Sequence, residues 1–144
     1  MTHDRTAPYA ALLLRLGLGA MFLAHGLLMK IMTFGLPGTM GFFGSLGYPP
    51  VFGAIVAIAE TLAGIALIAG VWTRAVSLLA LPILLGAVLQ HAGQGWVFSN
   101  AGGGWEFPAF WTLALLVQAL LGDGAYALKP GRLLGYQASA PRVA

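Results

Sequence analysis

Cysteine is absent from this chain, and charge is scarce. With no cysteine, the protein's own side chains offer no disulfide, thiolate metal site, iron–sulfur ligand or thiol redox couple. Only 8% of the 144 residues are charged, against about 25% in an ordinary soluble domain. A soluble fold of this size exposes too much of its surface to hide so apolar a sequence. Lys and Arg number seven against four Asp and Glu, a net charge of +3. That charge is thinly spread and reads as a topology signal, with no footprint for nucleic acid. No metal-ligand pattern is present either.

What is abundant is apolar sequence (59%) and glycine (21 residues), a pairing suited to helices in close contact within a bilayer. Four apolar runs approach the roughly 17–25 residues that cross a membrane. They lie at about 9–32, 51–69, 75–92 and 107–121, the last extending through Gly122 towards Leu128. The first run is too long for the apolar core of a signal peptide, about 7–15 residues, and it carries Arg15. Between the first two runs, Thr33–Pro50 is rich in Gly and Pro and reads as a loop closing on Tyr48-Pro49-Pro50. A second loop, Gly93–Glu106, precedes the last run.

Outside the runs, the basic residues are Arg5, Arg74, Lys129, Arg132 and Arg142, and neither of those two loops contains any. The positive-inside rule then places both termini and the Arg74 turn in the cytoplasm. Trp72, Trp96, Trp105 and Trp111 fall near run ends, as interfacial aromatics do. Continuous rather than alternating hydrophobicity excludes a β-barrel. The expected fold is all-α: an integral membrane, antiparallel four-helix bundle, N-in and C-in, in the bacterial cytoplasmic membrane. One domain spans 1–128, and 129–144 forms a basic, partly disordered cytoplasmic tail.

Ionisable residues inside membrane spans are costly and usually face the interior, which makes them site candidates. Counting about 1.5 Å per residue puts Arg15 about 9 Å above Tyr9. The same rise sets Glu60 about 13 Å and His25 about 10 Å below the opposite end. His25 and Glu60 can therefore pair, as a proton relay, with Arg15 about 6 Å beneath them. Lys30, Gln90, His91, Gln94 and Glu106 converge at the outer mouth. The expectation is one polar column, with Arg15 at the base, Glu60 and His25 midway, and Lys30, His91 and Glu106 on top. Each residue also has a purely structural reading. An Arg15–Glu60 pair can simply set helix register, Lys30 and His91 can snorkel, and Glu106 suits a helix N-terminus.

Several of these residues sit in segments that resemble the DoxX family of small bacterial membrane proteins. The carriers are Leu14-Arg15-Leu16-Gly17, His25-Gly26, Lys30, Ala59-Glu60-Thr61-Leu62-Ala63-Gly64, and Leu67-Ile68-Ala69-Gly70-Val71-Trp72-Thr73-Arg74. The resemblance runs from about Leu12 to Leu121. It implies a four-helix membrane fold and a redox-associated, quinone-linked role, with Arg15, Lys30, Glu60 and Arg74 matching recurrent positions. Some relatives look like subunits of a thiosulfate:quinone oxidoreductase, and the missing cysteine argues against sulfur transfer through a protein thiol here.

Three functions follow as expectations. One is a quinone-binding redox component, in which Lys30, His25 and His91 donate to the quinone and Glu60 relays protons. Haem ligation by His25 and His91 is disfavoured by their different depths. The second is a non-catalytic anchor for a soluble redox enzyme. The third is a small-solute permeation protein working as a homo-oligomer.

Overall fold

The computed structural model describes residues 5–129, and every regular element among them is helical. Helix α1 (Ala7–Leu23) opens with Pro8 in its first turn, where the missing N–H is not needed. It runs without a break into a π-helical stretch, Ala24–Thr33, forming one apolar rod of 27 residues. Helix α3 (Val51–Ala69) starts just after Pro49-Pro50 and stops at Gly70, whose left-handed φ of 72° forms its C-cap. Helix α4 (Thr73–His91) follows after a tight turn and ends in a short 3-10 turn, Ala92–Gln94.

Two expectations are corrected. The Gly- and Pro-rich segment expected to be a loop contains helix α2 (Gly35–Ser45). Gly35 supplies a left-handed start (φ 73°), and Pro37 falls in the first turn, where proline is tolerated. The last helix, α5 (Glu106–Leu121), does not continue towards Leu128. Gly122 turns the chain at φ 83°, and the Gln118 side-chain amide donates to the Gly122 carbonyl at 2.8 Å.

The rod Ala7–Thr33, α3, and α4 with its 3-10 turn are each long and apolar enough to cross a membrane, while α5 is a shorter apolar helix. Their outward faces are apolar as well: Leu13, Leu79, Leu89 and Leu120 are each at least 70% exposed. So much outward apolar surface is compatible with lipid and not with water. The protein is a multi-pass membrane protein.

Helix α1 packs on α3 and α5, and α4 packs on the same two neighbours. At their centre lie Leu18, Phe22, Leu67, Leu84, Trp111 and Leu115. Helix α2 leans on α3 and on the π-helical stretch. After α5, a strap of chain crosses one end of the molecule. Ala125 N–H donates to Pro8 O, and Leu128 N–H donates to Ala69 O, both at 2.9 Å. The start of α1, the α3–α4 turn and the end of α5 therefore share one end. The rest of the expected basic tail, with Arg132 and Arg142, lies outside the described residues.

Candidate functional site: an ion pair at an aromatic cavity

The face of the π-helical stretch that carries Gly26 and Lys30 meets Glu60. Lys30 Nζ donates to Glu60 Oε2 at 2.6 Å. The side chains are 20% and 6% exposed, so the pair is buried on the glutamate side and accessible on the lysine side. Close approach of the two helices depends on Gly26, where a Cβ would come within 2.7 Å of Glu60 Cβ and of Thr61 N. Thr39 of α2 donates from its hydroxyl to the Lys30 carbonyl at 2.8 Å, which ties α2 over the site.

Lys30 also lines a cavity of about 490 Å³. Its walls include Phe34, Phe42 and Phe43 from the α2 region and His91 from the end of α4. His91 Nδ1–H donates to the carbonyls of Gly102 (3.0 Å) and Gly103 (2.9 Å), which leaves Nε2 as the nitrogen able to meet a ligand. The arrangement offers flat apolar walls, a cation and an imidazole around one space, with a buried carboxylate behind the cation.

The remaining expected site residues are dispersed. His25 lies within electrostatic range of Glu60, but its Nδ1–H donates to Met21 O at 2.9 Å. Its ring sits 4.8 Å from that of Trp111 and 6.3 Å from that of Phe107. The partner that Glu60 takes is thus Lys30, which an α-helical count leaves at the outer mouth. Arg15 is 1% exposed and lies against Gly70, donating from Nη2 to Ala125 O at 3.2 Å. Gly70 is ten residues along α3 from Glu60, about 15 Å by helix rise, so Arg15 and Glu60 are not paired. Gln90 is exposed on α4. Glu106 belongs to a second cavity, beside Trp96 and Trp105. The expected residues therefore do not share a single column.

Sequence reasoning missed the α2 aromatics and Thr39, because their segment reads as loop. The paired aromatics Phe42-Phe43 were the available signal.

A family model described as DoxX matches residues 10–93 of the chain. A Bacillus subtilis (strain 168) protein named "Putative oxidoreductase CatD" is 34% identical over 127 residues, covering 88% of this chain and 90% of the relative. No solved structure matches the chain. With the family model covering more than half of its length and a relative aligned along most of it, the chain belongs to the DoxX family.

Proposed function

We propose that the protein is a quinone-linked component of a membrane redox system, binding the quinone ring in the cavity beside the Lys30–Glu60 pair. The observation that carries this reading is the placement of that pair: a buried carboxylate held by a lysine that faces an aromatic-walled space. A quinone ring needs apolar faces, which Phe34, Phe42 and Phe43 offer, and donors for its carbonyls. Lys30 Nζ donates to one carbonyl, and His91 Nε2 accepts from the hydroxyl of the reduced ring. Glu60, as a carboxylate, holds the Lys30 ammonium in place, and Lys30 passes a proton to a ring oxygen and takes its replacement from water at its accessible face, once for each of the two protons. Reduction takes two electrons and two protons, and the electrons come from a partner redox protein, since no cysteine is available for a thiol or cluster relay. The oxidoreductase name of the Bacillus relative supports a redox setting.

In this reading the rod Ala7–Thr33, α3, α4 and α5 form an antiparallel four-helix bundle in the bacterial cytoplasmic membrane. Both termini are cytoplasmic, with Arg74 and Lys129 on the inner side. The grouping of the two described chain ends with the α3–α4 turn supports that orientation.

Lipid extraction and mass spectrometry on detergent-purified wild type, Glu60→Gln and Lys30→Met test the proposal. Wild type should carry quinone and both folded variants should lose most of it. Quinone retained equally in all three, or carried by none, would sink the reading and favour an anchoring subunit.

A further inference from the structure

The loop between α4 and α5 is held shut by its own backbone. Trp105 N–H donates to Gly95 O and Glu106 N–H to Trp96 O, both at 3.1 Å. Asn100 Nδ2 donates to Gln94 O at 2.9 Å. This pairing brings Trp96 and Trp105 together, with ring centroids 4.5 Å apart and planes at 82°. The two rings meet edge to face, forming a corner of a cavity that Glu106 also lines. Glu106 Oε1 accepts from Phe98 N–H at 2.9 Å, and among the described residues this carboxylate makes no ion pair.

These groups open one cavity of about 510 Å³ that continues along α5 past Ala109, Phe110 and Leu113. Residues 106, 109, 110 and 113 are a single helical stripe. The site thus has a polar, aromatic head and an apolar tail in line. Trp faces attract cations, and an unpaired carboxylate does so more strongly. No Lys or Arg lies between Ala92 and Glu106, so a headgroup carrying net negative charge finds repulsion there and no partner.

We propose that this cavity is a binding site for a phospholipid with an ammonium headgroup, its cation in the Trp96–Trp105–Glu106 corner and one acyl chain along the α5 stripe. The site is separate from the Lys30–Glu60 cavity, and the proposal stands independently of any quinone.

Native mass spectrometry of protein released from vesicles of equal phosphatidylethanolamine and phosphatidylglycerol tests it. Wild type should retain phosphatidylethanolamine preferentially. Glu106→Gln, which keeps the side chain's shape, should weaken that retention about tenfold, as expected for losing one charge-assisted contact. Trp96→Leu, at a ring already 54% exposed, should weaken it without threatening the fold, as a thermal scan checks. Equal retention of both lipids by wild type would overturn the proposal. So would phosphatidylethanolamine held at wild-type level by both folded variants.

Discussion

Arg15 and Glu60 are both charged residues buried in apolar helices, and the protein treats them in opposite ways. Arg15 is enclosed by backbone: it rests on Gly70, donates to Ala125 O, and lies under the strap that bonds to Pro8 and Ala69. Among the described residues its Nε and Nη1 meet no hydrogen-bond acceptor, and Thr73, Ser77 and Gln118 likewise have buried polar atoms without a partner there. Glu60 is held by another side chain, and that side chain faces a cavity. Burial of a charge is common to both. Access divides them, and access is what a ligand needs. The comparison gives Arg15 the part of holding one end of the molecule together and leaves Lys30–Glu60 as the buried pair open to the proposed ligand.

The strongest way to break this division is Arg15→Ala. The change empties the space of a wholly buried side chain and frees the strap, at an expected cost of about 3 kcal/mol. A thermal scan in detergent should show a large fall in midpoint, while folded protein should keep the quinone proposed for the Lys30 cavity. A variant as stable as wild type but stripped of quinone would move Arg15 into the ligand site.

Gly70→Ala approaches the same end from the other side. A Cβ there would fall on the Arg15 guanidinium, at a residue with φ 72°. The strained backbone and displaced arginine should cost about 2 kcal/mol. An unchanged midpoint would mean that the Arg15–Gly70 packing contributes little.

The smallest effect belongs to the ligand region. Thr39→Val removes the hydroxyl that donates to Lys30 O. One such bond contributes about 1 kcal/mol, so the midpoint should move slightly. Quinone retention should fall more visibly, because α2 covers the cavity. Loss of stability with full retention would show that α2 does not shape the ligand space.

Much of the architecture was legible from composition. Long apolar runs and scarce charge required a multi-pass helical membrane protein. Helix α2 was not legible, because Gly35, Pro37, Gly38 and Gly41 are weak helix formers and only packing on α3 and the π-helical stretch decides their conformation. The end of α5 was hidden for a related reason: Leu121-Gly122 continues an apolar pattern, and the break is made by backbone φ at Gly122.

Site residues divide along the same line. Glu60 and Lys30 stood out because a charge in an apolar run is conspicuous whatever the fold. Their pairing was missed because the depth count compared backbone positions alone, and the long Lys30 side chain, leaning towards the N-terminus of its helix, reaches inward to Glu60.

By itself, the sequence determined the solvent of this protein, its helical class and the identity of its buried charges, since transfer from water to lipid depends on side-chain chemistry summed along a run. The tertiary structure alone decided which charge faces a cavity, which is sealed under backbone, and which aromatics surround each space. Those outcomes depend on contacts between helices, which no local pattern of hydrophobicity encodes.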